Sequence, residues 1–165
     1  MLWNKKLLNF VLFFDDKSFR NKNEELFMPN YKLIEIEGIG AAMSKKMDKA
    51  QIKTVRGLLK KGATRKARKE LAKTTGIKES VILRWVNMSD LFRIRGIGKQ
   101  YAELLEKAGV DTVKELKMRK ADHLLAQMEK INNAGKKRLV RALPGLKRVK
   151  SWVSQAQKLP PVVTY

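Results

Sequence analysis

The chain has no cysteine, one histidine, four prolines and fewer than half as many acidic as basic residues. Each shortage removes a class of explanation. Without cysteine there is neither a disulfide framework nor a thiolate metal site, which fits a cytoplasmic protein. The single histidine, His123, lies on a polar helical stretch and reads as solvent-exposed. No cluster of metal-ligating residues accompanies it, so neither a metal nor a cofactor is expected. No stretch alternates apolar and polar residues with period two, so no sheet is expected and the fold class reads as all-α. The longest apolar run, Leu7 to Phe14, is eight residues with Asn9 inside it, far short of the roughly 20 residues that cross a bilayer. Preceded by Lys5 and Lys6, it mimics the start of a signal peptide. Asp15 and Asp16 follow at once, however, and no small-residue cleavage site appears. A membrane is therefore not an expected partner.

Positive charge is what the chain has in excess. At 165 residues it is long enough for a core, in one domain or two small ones. The formal net charge is +21, a balance that favours polyanions and says nothing about fold. The charge is concentrated. Residues 32–73 carry thirteen Lys and Arg against four Asp and Glu, and residues 130–158 carry nine against none. Residues 99–129 are balanced, six against six. Solvated helix faces account for individual lysines. Two such blocks repel themselves unless a partner neutralises them.

A sentence of about twenty residues is written twice, 58 positions apart. Residues 36–55 and 94–113 share Gly38/Gly96, Ile39/Ile97, Gly40/Gly98, Ser44/Ala102, Met47/Leu105, Ala50/Ala108, Ile52/Val110 and Thr54/Thr112. A Gly-Ile-Gly turn leads into a short helix with apolar residues at i, i+4 and i+7. A β-branched residue and a Thr, placed as N-cap, then reset the chain for the next helix. This is the pattern of a helix-hairpin-helix motif, and a chance match over so many positions is implausible. The organisation expected is an N-terminal extension (1–29), a first unit (30–93), a second unit (94–159) and an extended tail (160–165), the units forming a compact repeat of SAM-like helical modules. Thr64 and Gly76 bound a further helix, Lys78 to Met88 another, and helices are expected near 121–131, 134–142 and 146–158. Trp85 and Trp152 occupy similar places, each plugging its own unit's core. Residues 1–27 have no counterpart in either unit. Either Met28 is the true start, or the extension is loosely docked or disordered.

Such a hairpin suits a phosphate. Its glycines leave no Cβ to hold a ligand away, and it ends at a helix N-terminus, where free N–H groups and the positive dipole end point outward. Phosphate contacts carry no base information, so the expected activity is non-catalytic, sequence-independent nucleic-acid binding, duplex DNA favoured and RNA possible. The second hairpin is the better candidate: Arg93, Arg95 and Lys99 surround Gly96, Ile97 and Gly98. Glu35 and Glu37 precede the first, and Ala41 and Ala42 follow it, so Gly38, Ile39 and Gly40 read as structural. The first unit would contribute Lys45, Lys46, Arg65, Lys66, Arg68 and Lys69. Residues 68–85 also fit a helix-turn-helix spacing that would offer Lys78, Ser80 and Arg84 to a major groove, but Trp85 on that helix favours a plain helical hairpin. DNA glycosylases of the helix-hairpin-helix class carry an Asp about 20 residues past the hairpin. Asp111 comes 13 past Gly98, and Lys53 fills its place in the first copy. That position is helix-start geometry, so no enzyme is expected. The rival function is a protein-interaction adaptor, with the neutral 99–129 region as its face.

From about Tyr31 to Tyr165, roughly four-fifths of the chain, the sequence resembles the bacterial family catalogued as DUF4332, built from tandem helix-hairpin-helix units. The resemblance is carried by Ile36-Glu-Gly-Ile-Gly, Gly62-Ala-Thr, Arg68-Lys-Glu-Leu-Ala, Thr75-Gly-Ile, Ile82-Leu-Arg-Trp-Val-Asn, Asp90-Leu-Phe-Arg-Ile, Ala108-Gly-Val-Asp-Thr-Val-Lys-Glu-Leu and the closing Leu159-Pro-Pro-Val-Val-Thr-Tyr. It implies the fold and a bacterial, cytoplasmic origin, and brings no activity with it.

Overall fold

A computed structural model describes residues 30–135 and 137–165; the readings made for the N-terminal extension lie outside them. A 3-10 turn, Leu33–Glu35, is followed by eight α-helices: α1 Ala41–Asp48, α2 Val55–Gly62, α3 Arg65–Thr75, α4 Glu79–Leu91, α5 Lys99–Lys107, α6 Val113–Leu116, α7 Ala121–Ala134 and α8 Leu146–Lys158. Among the described residues there is no strand; a single antiparallel bridge joins Lys32 to Thr54.

Local chemistry sets the helix ends. The hydroxyls of Thr54, Thr64 and Thr112 accept from the backbone N–H of Gly57, Ala67 and Glu115 and so start α2, α3 and α6. Gly76 ends α3 in the left-handed region, at φ 68°. The backbone of the first twenty-residue stretch recurs in the second. Ile39 and Ile97 donate to Ile36 and Ile94, each at 3.1 Å, and Ser44 and Ala102 donate to Gly40 and Gly98, each at 2.9 Å. Ile52 and Val110 close the helix ends onto Met47 and Leu105. Gly38 and Gly96 stand at φ 87° and 91°, a region that costs a side chain dearly.

Burial follows the same pairing. Met47, Ile52, Val55 and Leu58 are buried in one stretch, and Leu105, Val110, Val113 and Leu116 in the other. The central helix is α4, which packs on α2 and α3 and then meets α5; α7 lies against α5 and α8, and α8 also against α6. Trp85 on α4 and Trp152 on α8 are 2% and 1% exposed. A Cβ on Gly62, at the end of α2, would stand 2.5 Å from Val86 Cγ2, so only glycine allows this helix approach. The buried apolar residues form one continuous cluster from Leu33 to Val163.

One expectation needs correction. Among the described residues the expected helix over 134–142 does not form: α7 continues through Asn132 and Asn133 to Ala134, and residues 137–145 are not helical. The Asn132 amide explains the break. Buried inside, it donates to Val140 O at 3.2 Å and accepts from Val140 N at 3.0 Å, satisfying backbone groups that a helix would otherwise pair. The C-terminal stretch is residues 160–165. They are extended, as expected of Pro160-Pro161, but they are strapped across the molecule. Val163 is buried, Thr164 N donates to Ala63 O at 2.9 Å, and the Tyr165 hydroxyl reaches Asn87.

Candidate nucleic-acid interface

Each Gly-Ile-Gly turn buries its isoleucine, Ile39 or Ile97, and ends as the N-cap of a helix, α1 or α5. Gly40 and Gly98 have no side chain to accept from the helix's first N–H groups, which therefore remain directed outward. A tryptophan backs each turn. A Cβ on Gly38 would come 3.3 Å from Trp85 Nε1, and one on Gly96 would come 3.2 Å from Trp152 Nε1. The two turns have one backbone design and one backing residue.

Their electrostatic surroundings differ. Beside the first turn lies Arg84, whose guanidinium is held by both carboxylate oxygens of Glu106. That hydrogen bond, with the nearby charges of Glu37 and Glu103, pushes the Arg84 pKa above its ordinary value. Arg84 is thereby occupied, which removes the reason to read α4 as a groove-reading helix. Glu37 belongs to this turn, while Glu103 and Glu106, both on α5, lie near Arg84.

Beside the second turn runs α8. Gln155 clips it there: its Oε1 accepts from Arg95 N at 2.9 Å and its Nε2 donates to Arg95 O at 3.5 Å. Ser151, one turn back, accepts from the same amide at 3.3 Å. Between α8 and the turn lies an open groove of about 680 Å³ lined by Arg95, Gly96, Leu143, Gly145, Lys147, Arg148, Ser151, Trp152 and Gln155. Three of these residues are cations, all exposed, and none is a carboxylate. Tyr101 braces the groove from beneath, its ring 5.2 Å from Trp152 and its hydroxyl donating to Ala142 O.

The residues proposed from sequence divide into four groups. Arg95 and Gly96 line the groove, while Gly98 and Lys99 stand at the start of α5 beside it. Lys99 is not a free cation, since its Nζ lies 3.5 Å from Glu37 Oε2 of the first turn. Lys45, Lys46, Arg65, Lys66 and Lys69 are exposed on α1 and α3 and line no part of the groove; Lys45 and Lys46 sit in the last turn of α1, where they also favour the helix dipole. Arg68 and Arg93 are not surface cations at all. Arg68 is 1% exposed and donates to the carbonyls of Gly62, Ala63 and Thr164. Arg93 is 8% exposed, paired with Asp90 at 2.7 Å and donating to Pro160 O. Both hold the C-terminal strap, because buried guanidiniums need several acceptors and the extended backbone supplies them.

Sequence reasoning missed Lys147, Arg148, Ser151 and Gln155. The signal was the matching placement of Trp85 and Trp152, which puts α8 behind the second turn as α4 stands behind the first. Among the described residues no group of His, Asp and Glu could hold a metal, and no helix is long and apolar enough to cross a membrane.

Comparison with known proteins gives one family and no individual relative. No curated protein and no solved structure matches the chain. The model of a domain of unknown function, DUF4332, matches residues 37–159, which takes in both Gly-Ile-Gly turns, the tryptophans behind them and all of the groove. The chain therefore belongs to the DUF4332 family.

Proposed function

We propose that this is a tandem helix-hairpin-helix protein that binds nucleic acid, duplex DNA in the first place, through the phosphate backbone and without catalysis or sequence preference. A bacterial, cytoplasmic setting suits such a protein. One observation carries the reading: of two turns with matching backbones, the first has its neighbouring Arg84 tied to Glu106 and its own Glu37 paired with Lys99, and the second opens on a groove with three exposed cations and no acid in its lining. A fold needs the turn; it does not need that asymmetry of charge. The first hairpin then serves structure, and the second, with Gly96, Ile97, Gly98 and Lys99, faces the phosphates. No base-reading helix is required, because helix N-termini and lysines grip phosphates wherever the duplex is entered.

The test is a set of binding isotherms on unrelated duplexes at several salt concentrations, using the full chain. With about five to eight phosphates neutralised, log K should fall with log salt at a slope of roughly −4 to −7, at similar affinity for every sequence. Failure to bind any duplex at about 50 mM salt, where charges are least screened, overturns the reading and leaves the protein-interaction adaptor in its place.

A further inference from the structure

The groove holds more than the hairpin accounts for. Its far wall is the start of α8, a helix of thirteen residues whose N-cap, Gly145, offers no side chain to the first N–H groups. The intrahelical bonds begin with Arg148 and Val149 on Gly145 O, so the N–H groups of Leu146 and Lys147 stand ahead of the ladder. A bare helix N-terminus is common and proves little. A second observation points to a ligand. The indole N–H of Trp152 has no hydrogen-bond partner among the described residues, although Trp152 is 1% exposed and lines the groove. A buried donor left unpaired forfeits its bonds to water without replacement and destabilises the free protein. The matching indole of Trp85 is not among the buried unpaired donors, so the shared packing against glycine does not account for the difference. The orphan donor belongs to the cationic groove and not to its acidic twin.

Charge and hydroxyl chemistry converge on the same place. Lys147 and Arg148 are both exposed groove residues in the first turn of α8, where like charge opposes the helix dipole. Two cations at a helix N-terminus are unfavourable to the free protein and favourable to a complex with an anion. Arg95 faces them across the groove, and Ser151 lies one turn along.

We infer that the groove between Arg95 and the N-terminus of α8 is a second phosphate seat, distinct from the α5 hairpin, held by Lys147, Arg148, the first N–H groups of α8 and the Trp152 indole. That the phosphate belongs to nucleic acid rests on the reading above; the seat itself recognises the phosphate group. With the seat occupied, the protein holds two phosphates from two helix starts, α5 and α8, on either side of one turn. The phosphate is either part of an internal backbone or a terminal or free phosphate group; the chemistry of recognition is the same.

The experiment follows the indole and amide resonances of the full chain during titration with inorganic phosphate and, separately, with a short duplex carrying 5′-hydroxyl or 5′-phosphate ends. Trp152→Phe assigns the indole. Both ligands should move the Trp152 indole and the Leu146 and Lys147 amides and leave the Trp85 indole in place. Equal affinity for the two duplexes assigns the seat to internal phosphates; preference for the 5′-phosphate assigns it to strand ends. The Lys147→Glu/Arg148→Glu double variant, checked for unchanged melting, should lose at least about tenfold in duplex affinity. Should duplex bind wild type and double variant alike, or leave the Trp152 indole and α8 amides unmoved at saturation, the seat does not exist and the hairpin reading survives alone. Response to inorganic phosphate with no duplex binding would keep the seat and reject nucleic acid as its source.

Discussion

Lys99, just after the second Gly-Ile-Gly turn, forms an ion pair with Glu37, just before the first, at 3.5 Å. The two Gly-Ile-Gly turns, 58 positions apart in sequence, are therefore neighbours in space, and the acid of one restrains the cation of the other. Any phosphate that recruits Lys99 must take it from Glu37. Both side chains are 42% exposed, so the pair contributes at most about 1 kcal/mol.

The first prediction concerns that competition. Glu37→Gln frees Lys99 and removes a repelling carboxylate, so duplex affinity should rise by up to about fivefold. Lys99→Glu removes a phosphate contact and adds repulsion, and should cost about 1–3 kcal/mol of binding. Titrations with melting curves alongside provide the check. A Glu37→Gln protein that binds more weakly than wild type would show that the acid organises the site and does not restrain it.

A second prediction compares positions 51 and 109. They hold the same place after α1 and α5, and both have positive φ, 55° at Gln51 and 78° at Gly109. Glycine enters that region without strain and glutamine does not. The neighbouring interactions are similar but shifted by one residue: Lys61 Nζ donates to Ala50 O at 2.8 Å, and Arg119 Nη2 donates to Gly109 O at 2.6 Å. Gln51→Gly should therefore stabilise the protein by about 0.5–1 kcal/mol, as relieved strain outweighs the added freedom of the unfolded chain. Gly109→Gln should destabilise it by a similar amount. Thermal unfolding of both variants decides, and a drop in melting temperature for Gln51→Gly would refute the argument.

The buried arginines make a third prediction, one that separates structure from binding. Arg68→Ala removes the side-chain donor of the Gly62 and Thr164 carbonyls and leaves Ala63 O with Thr164 alone, and should cost about 3 kcal/mol or more. Arg93→Ala strands Asp90, which also accepts from Val113 N, and should cost as much. Deleting 160–165 should mimic a large part of either loss. Affinity for duplex DNA, measured on folded protein well below its melting temperature, should hold within about twofold for Arg68→Ala, since a buried guanidinium meets no phosphate. Loss of binding without loss of stability would return Arg68 to the surface role that its basic neighbourhood suggests.

How far the sequence could be read depends on the range of the interactions involved. The Gly-Ile-Gly turns, the Thr54, Thr64 and Thr112 caps and the Gly76 stop are set within four or five residues, and they were legible. Arg68 was not, because its basic neighbours Arg65, Lys66 and Lys69 are solvated and its own acceptors are backbone carbonyls, one of them on Thr164, 96 residues away. The irregular stretch after Ala134 was hidden for a similar reason: one buried amide, Asn132, decides it from eight residues away. Of the candidate site, Arg95 and Gly96 were visible through the repeat. Lys147 and Arg148 were visible only as members of a charged block, since nothing local brings α8 to the turn; burial of Trp152 does.

The last prediction is a pH dependence. Asp111 opens the stretch before α6, where burial, reinforced by the nearby charge of Glu115, raises its pKa above the ordinary carboxylate value. Asn87 opposes this by donating to Oδ2 at 2.9 Å, while Oδ1 is buried without a partner. A carboxyl group whose pKa is raised in the folded state binds its proton more tightly there than in the unfolded chain. Its contribution to stability is therefore greatest below the ordinary value and declines as pH rises through the interval up to the raised one. Asp111→Asn removes the charge and can keep the contact with Asn87 through its own amide oxygen. Because the group is only half-buried, the gain at neutral pH should be less than about 1 kcal/mol. The gain should vanish near pH 3, where both states of the wild-type carboxyl are largely protonated. Denaturant midpoints for wild type and Asp111→Asn across pH 3 to 7 make the comparison. A variant less stable than wild type at pH 7 would mean that the ionised carboxylate supports the turn and that burial there is outweighed by its hydrogen bonds.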